Sequence, residues 1–129
     1  TPADYAPDAQ VVARATELAS TSGGSVTVST SVDVVANDAD VLATDTWVSM
    51  GQEAEKAERV AAFAGFTIDS AVLAKANTDA IVLHCLPAYR GYEISAEVLD
   101  GPQSVIWDEA ENRLHAQKAL MVWLDAHAK

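Results

Sequence analysis

A short apolar segment that ends in a cysteine and a proline most constrains the fold of this chain. Residues 80–83 form a continuous apolar run, the pattern of a strand buried on both faces of a parallel sheet. Because Pro87 has no backbone N–H, the run must give way to a loop near Cys85. Ligands of open α/β sheets bind at this end of the strands. The segment predicts a ligand site at Cys85, although a lone cysteine is also often a small buried hydrophobe.

Strand and helix patterns alternate along the chain. Residues 25–29 alternate and are β-branched, and residues 40–44 form a further strand pattern. The last helix is predicted to begin at Asp108, which forms a variant capping box with Glu111. We therefore predict a three-layer α/β fold with a mostly parallel sheet flanked by helices, incomplete because three clear strands are few. The predicted helices cover residues 8–20, 32–36, 53–63, 70–76, 95–100 and 108–124.

Composition excludes several classes of partner. The chain has 129 residues, half of them hydrophobic, and a formal charge of −11, which argues against nucleic acid and anionic membrane surfaces. No apolar run approaches the roughly 20 residues of a membrane span. A single cysteine fits a reducing compartment, so we expect a cytoplasmic protein. The three histidines lack zinc-ligand spacing with Cys85, so we expect no metal site.

Two loops each follow the carboxyl end of a predicted strand. If these strands are parallel, the loops share one edge of the sheet and bring Asp45, Ser49, Cys85 and Arg90 to one crevice. The Asp45 carboxylate could hold an ammonium group, while Ser49 and the backbone N–H groups near Gly51 could hold a carboxylate. The alternative for Asp45 is a cap of its own loop.

Arg113 is the second candidate site residue. On a helical wheel it falls in the apolar sector near Leu120 and Leu124, which predicts a buried guanidinium. A buried arginine is costly unless it meets an anion or a carboxylate, so it could clamp a phosphate or a carbonyl group. The alternative is a structural pair with Glu109 or another acidic residue.

Three separated segments resemble one enzyme family. Residues 84–91 (HCLPAYRG) and 108–120 (DEAENRLHAQKAL) resemble the C-terminal signature of ornithine carbamoyltransferases. Residues 45–51 (DTWVSMG) resemble the same family's ornithine-binding loop. The resemblance, closest to anabolic actinobacterial enzymes, implies that residues 1–129 are the ornithine-binding C-terminal domain. It also implies that the carbamoyl-phosphate domain and the first part of this domain's own sheet are missing.

The resemblance implies a reaction and ornithine-binding residues. The δ-amino group of L-ornithine would attack the carbamoyl carbon of carbamoyl phosphate, giving L-citrulline and phosphate in arginine biosynthesis without a cofactor. Asp45 would bind the ornithine amino group, and Ser49 and Met50 would hold its α-amino-acid end. The alternatives are a carbamoyltransferase acting on putrescine and a non-catalytic module that binds a ligand or a partner.

The resemblance also implies residues that handle the carbamoyl group. Cys85 would lie beside the reacting amine and, as a thiolate, help to take its proton. Leu86 would offer its backbone carbonyl to the carbamoyl NH₂, and Arg113 would polarise the carbamoyl oxygen. The family further implies a trimer built mainly through the missing domain. We expect the 129-residue chain alone to be inactive and to self-associate through an exposed sheet edge.

Overall fold

A two-stranded parallel sheet lies at the centre of the fold in the computed structural model, which describes residues 1–128. Strand β1 is Val41–Thr44 and strand β2 is Ile81–His84. Val41 pairs with Ile81, and Thr44 pairs with His84. Both strands therefore end at the same edge of the sheet. A parallel bridge between Val82 and Ser104 extends the sheet beyond β2. The parallel α/β architecture predicted from the sequence is confirmed.

Six α-helices are described, and several begin where the sequence predicts a cap. The Asp8 carboxylate accepts hydrogen bonds from two backbone N–H groups at the start of α1. Asp69 and Ser95 cap α4 and α5, and each side chain accepts one backbone N–H. No helix within residues 1–128 is long and apolar enough to cross a membrane. The helices are α1 (Ala9–Ser22), α2 (Val32–Ala36), α3 (Lys56–Ala62), α4 (Ser70–Leu73), α5 (Ala96–Leu99) and α6 (Ile106–His127), with 3₁₀ turns at Ala3–Tyr5 and Glu53–Glu55.

The hydrophobic core packs against β2. Val82, Ile94 and Ile106 are fully buried, and Leu99 is nearly so. Burying each such side chain contributes about 1.5–3 kcal/mol relative to leaving it exposed. Because the core surrounds β2 and the start of α6, it holds the carboxyl end of β2 and the first turns of α6 in a fixed relation.

The predicted strand at residues 25–29 is wrong. This segment pairs with neither β1 nor β2, and its Val26 and Val28 side chains are exposed. Alternation and β-branching report strand propensity, but a strand also needs a partner edge. No other strand lies beside this segment within residues 1–128.

The edge of β1 that faces away from β2 carries no strand within residues 1–128. A groove of about 530 Å³ lies along β1 and is lined mainly by apolar side chains, including Val35, Phe63 and Phe66. An unpaired apolar edge favours strand addition or association between chains. Self-association of the isolated chain stays a prediction.

The start of α6 also differs from the prediction. The helix begins at Ile106, and its N-cap is Val105, which makes no side-chain capping bond. Asp108 therefore lies in the first turn, where its charge suits the helix dipole, and does not form a capping box with Glu111. The Val105 N–H donates to the carbonyl of Val82, so pairing with β2 sets where the helix begins.

Candidate functional site

The carboxyl ends of β1 and β2 bring Asp45 and Cys85 into contact. Because Thr44 is paired with His84, the next residue of each strand lies at the same edge of the sheet. The Cys85 thiol donates to Asp45 Oδ1 at 3.1 Å. That carboxylate oxygen also accepts the Thr46 N–H at 2.7 Å, as expected for a loop cap. Asp45 therefore holds its own loop and the thiol together.

The contact sets the ionisation of the thiol. The hydrogen bond to Asp45 raises the pKa of Cys85, and partial burial and the nearby carboxylate charges raise it further. Cys85 is therefore protonated near neutral pH. This weighs against a Cys85 thiolate as the group that takes the amine proton, because a negative neighbour disfavours a second negative charge; that role stays a prediction.

Replacing Asp45 is expected to make Cys85 more reactive. In Asp45→Asn the carboxylate charge is lost, so the thiol pKa falls and the thiolate fraction at pH 7.5 rises. Alkylation by iodoacetamide followed over a pH series reports this pKa cleanly, since the chain has one cysteine. We expect the reactivity midpoint to move to lower pH, and Asp4→Asn, a control in an exposed 3₁₀ turn outside this contact, to leave it in place. An unchanged midpoint in Asp45→Asn would contradict the assigned hydrogen bond.

Arg113 lies beside the Cys85 loop but is not buried. A cavity of about 540 Å³ is lined by Cys85, Leu86, Arg90, Trp107 and Arg113, so the structure brings four predicted residues together. The predicted burial of Arg113 is wrong: it is exposed, as are all residues from 111 to 128. The helical wheel places Arg113 in an apolar sector, but only the first turns of α6 contact the core.

Glu109 does not pair with Arg113 within residues 1–128. Its Oε2 accepts the backbone N–H of His84 at 2.8 Å, and this bond joins the first turn of α6 to the end of β2. Arg113 forms no ion pair in the described part of the chain. The guanidinium therefore faces the cavity without a carboxylate partner from this chain.

Ser49 and Met50 lie apart from the Cys85 cavity. They line a separate cavity of about 110 Å³, and the Met50 side chain is 96% exposed. The Gly51 N–H, a predicted carboxylate binder, donates to Glu53 Oε1 at 3.1 Å. Two backbone hydrogen bonds lower the pKa of the Glu53 carboxyl. The larger effect comes from the N–H of Glu53 itself and the smaller one from the N–H of Gly51. The loop thus satisfies its own amides, and the structure does not bring Ser49 to Cys85.

Arg90 is engaged elsewhere. Its guanidinium makes two hydrogen bonds to Asp100, at 2.8 and 3.2 Å, and this contact lowers the pKa of the Asp100 carboxyl. Arg90 lines the rim of the Cys85 cavity, but its charge is already paired. Both side chains are about half exposed, so the pair contributes little to stability.

Three potential metal ligands converge at this edge. Donor atoms of Asp45, His84 and Cys85 lie within 4.8 Å of one another, although the residues lack zinc-ligand spacing in the sequence. Linear spacing could not reveal this cluster, because Asp45 comes from a different strand. The His84 ring, however, accepts the Leu86 N–H at Nδ1 and contacts Glu93 through Nε2. Neither ring nitrogen is free for a metal in this arrangement.

His84 and Glu93 are the residues that sequence reasoning missed. Both side chains are fully buried and in contact, with Nε2 3.0 Å from Oε1. His84 could have been noticed as a titratable residue that ends an apolar strand. Glu93 gave no signal, because its burial depends on how the loop after Cys85 folds back.

A parallel α/β domain with a carboxylate and a thiol at the carboxyl edge of its sheet, and an arginine on a nearby helix, is typical of domains that bind a small ligand at that edge. The family model described as "Aspartate/ornithine carbamoyltransferase, Asp/Orn binding domain" matches residues 1–124, and the chain belongs to that family.

Related sequences and solved structures support the same family assignment. The chain is 67% identical over 123 residues to an ornithine carbamoyltransferase of Renibacterium salmoninarum, covering 95% of this chain and 40% of that protein. An ornithine carbamoyltransferase of Leifsonia xyli is 59% identical, with 95% and 39% covered. The Pyrococcus furiosus ornithine carbamoyltransferase structure matches with a TM-score of 0.92 and 45% identity, covering 100% of this chain and 41% of that one. The chain thus spans about 40% of the length of these relatives.

Proposed function

We propose that this chain forms the ornithine-binding half of an ornithine carbamoyltransferase. The intact enzyme transfers the carbamoyl group of carbamoyl phosphate to the δ-amino group of L-ornithine, which gives L-citrulline and phosphate. The observation that carries the proposal is the Asp45–Cys85 contact of 3.1 Å beside a cavity lined by Arg113. In this proposal Asp45 is the anionic group for an ammonium and Arg113 the cationic group for an oxyanion. Cys85 contacts the first and shares a cavity with the second. Relatives with this name at 67% and 59% identity support the same assignment.

Asp45 is the proposed amine-binding group. It is exposed at the carboxyl end of β1 and carries a negative charge that can attract an ornithine ammonium. Ser49 and Met50 are proposed to hold the α-amino-acid end of ornithine. Because their loop lies apart from Cys85, the loop must move toward the cavity when ornithine binds.

Arg113, Leu86 and Cys85 are the proposed carbamoyl-handling groups. As the amine attacks, negative charge develops on the carbamoyl oxygen, and the Arg113 guanidinium stabilises it. The backbone carbonyl of Leu86 accepts a hydrogen bond from the carbamoyl NH₂. Cys85 serves as a neutral thiol that orients the amine, because Asp45 keeps it protonated. No cofactor is needed, since carbamoyl phosphate is already activated.

The remainder of the enzyme supplies what this chain lacks. The relatives are more than twice as long as the matched segment, and we propose that their additional length includes a carbamoyl-phosphate domain. A further strand of the same sheet would pair with the open edge of β1 and fill the adjoining groove. We propose a cytoplasmic homotrimer held together mainly through that additional domain.

Substrate choice tests the proposal at the level of the acceptor amine. The intact enzyme is expected to carbamoylate L-ornithine with a kcat/KM at least about 10²-fold above that for putrescine, because putrescine leaves the groups for the α-amino acid unpaired. N-acetyl-L-ornithine belongs in the same assay, because a solved N-acetyl-L-ornithine transcarbamylase is 35% identical to this chain at a TM-score of 0.79. A preference for putrescine or N-acetyl-L-ornithine would contradict the proposed substrate.

A further inference from the structure

The loop that carries Cys85 and Leu86 rests on a buried polar pair. His84 and Glu93 have relative exposures of 1% and 0%, and their side chains contribute none of it. Both residues lie beneath the proposed carbamoyl site, and neither lines its cavity. Polar groups buried this deeply are costly unless they form hydrogen bonds, so their partners indicate what they do.

The hydrogen bonds assign the state of the His84 ring. Its Nδ1 lies 2.9 Å from the backbone nitrogen of Leu86, and a backbone N–H can only donate. Nδ1 therefore carries no proton, and the proton on Nε2 is donated to Glu93 Oε1 at 3.0 Å. The same Glu93 oxygen accepts the backbone N–H of Tyr89. One pair thus anchors the loop at two points, Leu86 and Tyr89.

The anchored segment has an unfavourable backbone. Leu86 has a φ of +57°, in the left-handed region that residues with a Cβ seldom adopt. Such a conformation is unfavourable and persists only where the surroundings hold it. The bond from the Leu86 N–H to His84 fixes the peptide group between Cys85 and Leu86. The Leu86 carbonyl lies in the next peptide group, between this anchor and the one at the Tyr89 N–H.

We propose that His84 and Glu93 are a positioning pair that holds the Leu86 carbonyl and the Cys85 thiol in place for carbamoyl transfer. This inference rests on the proposed function. The pair acts by geometry and not by carrying a proton, because its two outer contacts are to backbone N–H groups, which do not exchange protons during the reaction. The Cys85 thiol bonds directly to Asp45 and not to the His84 ring. Within residues 1–128, the buried Glu93 Oε2 has no hydrogen-bond partner.

Two substitutions of Glu93 separate geometry from charge in the intact enzyme. Glu93→Gln keeps an acceptor oxygen at the same reach and removes the charge, whereas Glu93→Asp keeps the charge and cannot reach both donors. We expect Glu93→Gln to retain kcat within about fivefold and Glu93→Asp to lose about 10²-fold, since a 1 Å misplacement can cost that much. The KM for ornithine should stay within about threefold in both, because Asp45 is not displaced.

The opposite order of activities would overturn the inference, because it would show that the charge of Glu93 matters more than its reach. The inference would also be overturned if the KM for ornithine in Glu93→Asp rose by as large a factor as kcat fell. That result would indicate a general structural defect. Failure of Glu93→Gln to fold, detected by thermal unfolding, counts against it as well.

A second measurement keeps this inference separate from the proposed function. In the wild-type intact chain, ¹⁵N NMR of the histidine rings is expected to show His84 with a proton on Nε2 and none on Nδ1. A proton on Nδ1 would overturn the positioning pair whatever the activity. Absence of citrulline formation by the wild type, with the expected tautomer present, would instead contradict the proposed function alone.

Discussion

Replacing Arg113 with glutamine is expected to lower kcat for citrulline formation by about 10³-fold in the intact enzyme. Removing one group that stabilises a developing oxyanion costs about 10²–10³-fold, and Arg113 is the cation that faces the proposed carbamoyl site without a carboxylate partner in residues 1–128. The measurement is steady-state citrulline formation at saturating ornithine and carbamoyl phosphate.

Two further variants sharpen this test. Arg113→Lys keeps the charge but loses the planar fork of donors, so it should recover only part of the rate. Lys118→Gln removes a positive charge from an exposed position further along α6 and should leave kcat unchanged. If Arg113→Gln retains kcat within threefold of the wild type, the assigned role of Arg113 is wrong.

Replacing Asp45 with asparagine is expected to reduce kcat/KM for ornithine by about 10²-fold. A hydrogen bond to a charged group contributes about 1.5–3 kcal/mol, and a 10²-fold change corresponds to about 2.7 kcal/mol. The loss should fall mainly on the KM for ornithine, with the KM for carbamoyl phosphate changed much less. Initial rates over a grid of both substrate concentrations separate these effects.

Asp4→Asn is the matched control for Asp45, because it removes the same charge from an exposed 3₁₀ turn outside the site. Its kinetic constants should equal those of the wild type. If the KM for carbamoyl phosphate changed as much as the KM for ornithine, the assignment of Asp45 to ornithine binding would be contradicted.

Local patterns predicted much of the fold because their causes are local. The apolar run before His84 and the turn residues after it define β2, and the caps at Asp8 and Asp69 mark two helices. The segment at 25–29 failed because strand formation depends on a partner edge, which lies outside its own sequence. The predicted burial of Arg113 failed for a related reason, since a helical wheel cannot show which turns the core covers.

The site was partly predictable from topology. Parallel strands of equal register must bring the residues after their ends together, so Asp45 and Cys85 could be placed near each other without a structure. The effect of this contact on the thiol pKa needed the actual hydrogen bond. The buried pair of His84 and Glu93 was not predictable, because it depends on the path of the loop between them.

The central claim is that this chain is the ornithine-binding part of a carbamoyltransferase whose remaining parts complete the site. The most direct measurement is citrulline formation from ornithine and carbamoyl phosphate by the intact protein, assayed beside the isolated 129-residue chain. We expect turnover by the intact protein and none by the isolated chain, because the proposed carbamoyl-phosphate domain lies outside it. Citrulline formation by the isolated chain, or none by the intact protein, would contradict the account.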